Sequence, residues 1–156
     1  MKFLKQAALA GIALALAGSV AAQTKPEDQI RYRQSGYAFL AWNMGKIKAQ
    51  VIDNPSAFDK AQVVAAANAI SAIANSGMGA LYGPGTDKGK GWKETQVKAE
   101  FFQQPDEVKK VAVAFIQESN KLAEVAAGGD VAAIRAQFGK VGESCKGCHD
   151  KFRNKD

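Results

Sequence analysis

The chain has 156 residues, 47% hydrophobic and 23% charged, with two cysteines and a single histidine. That length builds one domain around a core. The formal net charge of +6 comes from lysines and arginines scattered singly along the chain, without the clustered basic surface that nucleic-acid binding requires.

The opening stretch, MKFLKQAALAGIALALAGSVAAQ, begins with Lys2 and Lys5, continues through alanine and leucine, and ends in small residues. This is the pattern of a cleavable secretory signal, residues 1–22, cut after Ala22. Its apolar core, Ala7 to Val20, is shorter than the ~20 residues that span a bilayer, so no membrane attachment is expected once it is removed. The mature domain, residues 23–156, then carries a formal charge of +4, because Lys2 and Lys5 leave with the signal.

Beyond the leader, apolar runs of helical period alternate with short Gly/Pro/Asp breaks, and no strand-like alternation of useful length occurs. The first predicted helix opens at Pro26, Glu27 and Asp28, proline-led and acidic at the positive end of its dipole. Its seam runs through Ile30, Arg33, Tyr37, Leu40, Met44, Ile47 and Val51, by alternating steps of three and four. Arg33 is a charge where that pattern asks for a hydrophobe. Dry and unpaired it is costly, so it needs an anion or a route out of the end of the core. Tyr32, Phe39 and Trp42 fall off the seam, either to pack beneath a loop or to form a partner surface. The expectation is a homodimer through this helix.

The second predicted helix is announced by FDKAQV: Asp59 caps, Gln62 answers it, and Phe58 staples onto Val63. Val63, Ala66, Ile70 and Ile73 form its inner face, and Gly77 and Gly79 end it. YGPGTDKGKGW, residues 82–92, reads as a loop, and VKAEFF after it as a short helical turn. The third helix starts at Pro105 with Asp106 and Glu107 behind it. Its stripe is Val108, Val111, Phe115, Leu122 and Val125, and Gly128 and Gly129 close it. The fourth is capped by Asp130 and is the most regular: Val131, Ile134, Phe138, Val141, Cys145, Cys148, Phe152. Both cysteines thus fall on the buried seam, with His149 at a neighbouring angle on the same side. Four such helices joined by mostly short loops predict an all-α, antiparallel up-down four-helix bundle.

The whole stock of cysteine and histidine lies in ESCKGCHDKF, residues 143–152. A disulfide between cysteines three apart closes a tiny loop and restrains the unfolded chain little. Zinc draws on four ligands, or three and an open position, usually as separated pairs. A redox dithiol belongs at a helix N-terminus within a strand-helix-strand unit. The reading that uses all three residues is covalent haem c: two thiols one helical turn apart add to the two vinyl groups of one haem, and the adjoining histidine reaches its iron. One motif implies one haem per chain.

With a single histidine, a second imidazole ligand from the same chain is excluded. Met44, Met78, Tyr37, a lysine or nothing remain for the sixth position. Met44 lies one heptad, about 10 Å, beyond Tyr37, so only one of them can stand over the iron, and Met78 sits among glycines near the loop. A haem peroxidase has little support, since distal proton transfer uses a histidine or carboxylate and the seam near Tyr37 has neither. No enzymatic activity is expected.

KPEDQIRYRQSGY (25–37), YGPGT (82–86), VKAEFFQQPDEVKK and GDVAAIRAQFGKVGESCKGCHDKFR (129–153) resemble the first helix, loop, third helix and haem-binding helix of the cytochromes c-prime. The resemblance covers essentially the whole mature chain. It implies a bundle that usually forms symmetric dimers and holds a five-coordinate, high-spin haem, with histidine below and an apolar pocket above. It also implies binding of nitric oxide and carbon monoxide, electron transfer or nitric-oxide sequestration, and a periplasmic location; the redox partner stays unidentified.

By position, the resemblance makes Cys145 and Cys148 the thioether links and His149 the axial ligand. It puts Arg33 and Gln34 beside the haem propionates, with Thr95 and Gln96 also expected to touch one, and Arg153 on the proximal side. Tyr37 falls where many members have leucine and low-spin relatives a ligating methionine. A phenol there would crowd the sixth position and offer a hydrogen bond to a bound gas, while phenolate ligation is opposed by a pKa near ~10. The alternative is a low-spin electron-transfer cytochrome with Met44 or Met78 as sixth ligand.

Overall fold

A computed structural model describes residues 24–155; the expected signal at 1–22 lies outside them. The helices are α1 (Pro26–Lys48), α2 (Lys60–Ala74), the short α3 (Glu100–Gln103), α4 (Pro105–Gly128) and α5 (Val131–Phe152). Among the described residues the extended pairings are single bridges, Lys90 with Glu94 and Val97 with Arg153. The four long helices run up and down in chain order: α1 packs on α2, α2 on α4 and α4 on α5, whereas α5 meets α1 only sparingly. None of the described helices is long and apolar enough to cross a membrane.

The predicted helix ends are built as their chemistry requires. Pro26 and Pro105 open α1 and α4, where a missing N–H costs nothing. Asp59 accepts from Gln62 N at 3.1 Å while the Gln62 amide returns to its other oxygen at 3.0 Å, and Asp130 accepts from Ala132 N and Ala133 N. Gly129 closes α4 at φ +82°, a backbone state that favours glycine. One end was not foreseen. α1 runs into a π-helical turn, Ala49–Asp53, whose Val51 carbonyl accepts from Arg135 Nε at 2.6 Å. The wider turn keeps Val51 fully buried.

The sealed core sits at the α1 C-terminal end of the bundle. Leu40, Ile47, Val51, Val63, Ala66, Ala67, Ile70, Leu122, Ala126, Ile134 and Val141 form one apolar cluster there. Phe58 packs against it beside Val63, as the staple predicts, and so does Met44. The small α2 residues Ala66 and Ala67 let neighbouring helices come close.

Candidate functional site

The antiparallel order brings the start of α1, the loop after α2, the start of α4 and the end of α5 to the other end of the bundle. Here the seam spacing holds but burial is uneven: Ile30, Arg33 and Phe152 are buried, whereas Val108, Val111, Cys145 and Cys148 occupy seam positions and are only half-buried, and His149 is exposed. This corrects the expectation of cysteines on a fully buried seam. Heptad spacing fixes which way a side chain faces, not how closely the facing helix approaches, and α1 and α5 meet only sparingly.

Both cysteines are free thiols. Desolvation raises the pKa of each; the Ser144 hydroxyl opposes this at Cys145, and the neighbouring Cys145 adds to it at Cys148. They sit in the last turns of α5, at the negative end of its dipole, so nothing generates the thiolate that a redox pair needs. Among the described residues no three His, Cys, Asp or Glu side chains converge as a metal site. Partial desolvation, followed by the Arg153 cation, lowers the His149 pKa, with Asp150 opposing. The neutral imidazole that results is the form that binds a metal.

Thiols one turn apart, a neutral imidazole beside them and half-covered apolar seam residues facing them fit a flat apolar group attached by two thioethers and ligated once. A polar cleft of about 730 Å³, lined in part by Asp87, Lys98, Glu107, Lys151 and Phe152, includes neither cysteine nor His149.

Across the bundle, three turns of α1 are committed to the loop. Gln29, buried, accepts from Gly83 N at 2.9 Å and donates to Thr24 O at 2.6 Å. Arg33, 3% exposed, donates through Nη1 to Leu81 O at 3.0 Å and Thr86 Oγ1 at 2.9 Å, and through Nη2 to Thr86 O at 2.5 Å and Thr95 Oγ1 at 2.7 Å. Its guanidinium also lies 4.5 Å from the Tyr82 ring centroid. On the protein side, neutral oxygens and a π face therefore meet the charge. Burial lowers the Arg33 pKa, and Tyr82, Tyr37 and Asp87 oppose that shift.

Gln34 holds the next part of the loop, donating to Lys93 O and accepting from Trp92 N, each at 2.8 Å. The Gln96 carbonyl accepts from Asn154 N at 2.8 Å, and Lys98 N donates to Phe152 O at 2.9 Å, strapping the loop's far side to the end of α5.

Tyr37 is 40% exposed rather than sealed in the seam. Its hydroxyl nevertheless accepts from the Tyr82 hydroxyl at 3.1 Å. Desolvation raises its pKa, the Tyr82 hydrogen bond and Arg33 oppose the shift, and Cys148 and Cys145 add to it. The phenol thus stays neutral and within electrostatic reach of both thiols. Met78 lies against Gly36: a Cβ there would be 3.0 Å from Met78 Cε and 3.1 Å from Sδ. Tyr82, Gln29 and Thr86 were not singled out from sequence. The available signal was that Gln29, Arg33 and Tyr37 share one stripe at steps of four, and that Tyr82 directly precedes GPGT.

Fold and motif together define an α-helical bundle with a Cys-x-x-Cys-His sequence on its last helix. The profile of the Cytochrome C' family matches residues 28–153. Cytochrome c' of Allochromatium vinosum is 54% identical, with 99% of this chain and 100% of that protein covered. A solved cytochrome c' described as showing ligand-controlled dimer dissociation is 56% identical and covers 84% of this chain and 98% of its own, with a TM-score of 0.79. A variant of cytochrome c prime from Alcaligenes xylosoxidans, ferrous with bound NO, is 32% identical, covers 85% of this chain and 98% of its own, and has a TM-score of 0.75. The chain belongs to the cytochrome c' family.

Proposed function

We propose that this protein carries one haem c, joined to Cys145 and Cys148 and held by His149 as its single protein ligand, and that it binds nitric oxide and carbon monoxide in the periplasm after residues 1–22 are removed. The observation that carries the reading is the Cys-x-x-Cys-His turn at the half-covered end of a bundle whose other candidate ligands are engaged elsewhere. Met44 packs on the sealed core, Met78 fills the space beside Gly36, and the Tyr37 phenol is held neutral. When bound, the haem supplies an iron that takes up a diatomic gas and exchanges one electron.

The chain's own residues do the rest. The two thiols fix position, and the neutral imidazole donates its lone pair. Val108 and Val111 present apolar surface. Arg33, Gln34, Thr95 and Gln96, which tie the loop to α1 and α5, stand as our assignment for the propionate side. A related protein is described with bound NO and another as a dissociable dimer. Tyr32, Phe39 and Trp42 are 56%, 50% and 57% exposed on α1, which supports a homodimer through that helix, testable by sedimentation at micromolar concentration. The reading is that of a binding and electron-carrying protein rather than an enzyme.

The test is mass and gas binding of protein made alongside haem-attachment machinery. The expected product carries one covalent haem, lost in the Cys145→Ser, Cys148→Ser pair, and its spectrum shifts with NO and with CO. A haem-free product, or one indifferent to both gases, overturns the proposal.

A further inference from the structure

Tyr82 is held more tightly than a loop residue at a Gly/Pro turn needs to be. The carbonyl before it, Leu81 O, accepts from Arg33 at 3.0 Å, and the amide after it, Gly83 N, donates to Gln29 at 2.9 Å. Its ring lies between the Arg33 guanidinium, 4.5 Å away, and the Phe101 ring, stacked at 4.4 Å between centroids. Phe101 in turn meets Phe152 of α5 edge-on at 5.7 Å. Backbone and both ring faces are therefore fixed by α1, the segment before α4 and α5, leaving one polar atom with work to do. That hydroxyl donates to Tyr37 at 3.1 Å. Gln29, Arg33 and Tyr37 follow one another at i, i+4 and i+8, so a single stripe of α1 meets Tyr82 and its two flanking peptides.

We propose that Tyr82 is a positioning residue for Tyr37: it anchors the half-exposed phenol beside the cysteines and so sets how fast a gas reaches any iron tethered there. This rests on the gas-binding reading above. Tyr37 on α1 and both cysteines on α5 occupy seam positions at the same end of the bundle, so its ring faces the space beside the thiols. A gas arriving on that side must displace the ring, and displacement breaks the bond to Tyr82. Because Tyr82 is the donor, the Tyr37 proton stays free to point at an incoming ligand. The loop contacts of Arg33 then act on the ligand through Tyr82.

Tyr82→Phe keeps the ring between Arg33 and Phe101 and deletes the donor. In the haem-loaded protein, stopped-flow mixing with carbon monoxide is expected to show association about 3- to 10-fold faster than in the parent, the worth of one modest hydrogen bond. In a Tyr37→Phe background the same change is expected to add nothing, because the acceptor is already gone. Phe101→Leu, which loosens Tyr82 from its other face, is expected to move the rate the same way by less. An unchanged rate in Tyr82→Phe, or an equal acceleration with and without the Tyr37 hydroxyl, overturns the inference while leaving gas binding intact. A preparation without haem overturns the function on which it rests as well.

Discussion

The two ends of the bundle are written in the same seam spacing and come out differently. At the far end Ile47, Val51, Val63, Ala66, Leu122 and Ile134 are closed to water; at the cysteine end Val108, Val111, Cys145 and Cys148 keep the register yet are half-covered. Small residues on α2 draw the helices together in the first region. In the second, α1 is committed to the loop through Gln29, Arg33 and Gln34 and meets α5 only sparingly. A stable scaffold and a receptive site thus share one set of helices, separated along their length rather than placed in different domains.

Leu122→Ala is the largest expected break in that contrast. It opens a cavity in the sealed region and should cost roughly 2–5 kcal/mol, equally in the haem-loaded protein and in the Cys145→Ser, Cys148→Ser form, as read by denaturant unfolding. Arg33→Leu comes next. Removing a charged donor from four loop oxygens should cost about 1.5–3 kcal/mol and speed amide exchange in residues 81–95. Val111→Ala sharpens the comparison, because about 1 kcal/mol in the haem-free form should become distinctly more once haem is attached, whereas Leu122→Ala shows no such difference. Asp130→Ala, at the sealed end, should cost about 1 kcal/mol by uncapping α5.

The smallest effect is at Glu107, whose carboxyl is held below its ordinary range by the Lys151 hydrogen bond and by Lys110. Its unfolded form binds a proton more readily than its folded form, so its contribution is present above the usual carboxylate range, near pH ~4, and fades as pH falls through the folded value. Glu107→Gln should lower the melting temperature slightly at neutral pH, leave it unchanged at the acid end, where Glu107 is already protonated, and so flatten the acid limb of the profile.

Helix limits and caps were legible because they depend on local chemistry: Pro26, Pro105, the Asp59–Gln62 pair, Asp130 and Gly129 need only their near neighbours. The Cys145, Cys148 and His149 cluster was legible for the same reason, as three residues within one turn and a half. What the sequence left hidden depends on contacts across the chain. Arg33 could be recognised as a buried charge, but its partners Thr86 and Thr95 lie 53 and 62 residues away. Tyr82 read as loop punctuation, since its fixed position comes from Gln29, Arg33 and Phe101 together. The half-burial of Val108, Val111, Cys145 and Cys148 depends on what other helices bring against them, which periodicity does not encode.

The most direct test of a singly ligated haem at this end is the ferric spin state, read from optical and electron paramagnetic resonance spectra before and after nitric oxide. The account predicts a high-spin spectrum that changes when the gas is added. A low-spin spectrum, of the kind a methionine or tyrosinate sixth ligand would give, that is insensitive to the gas would contradict it.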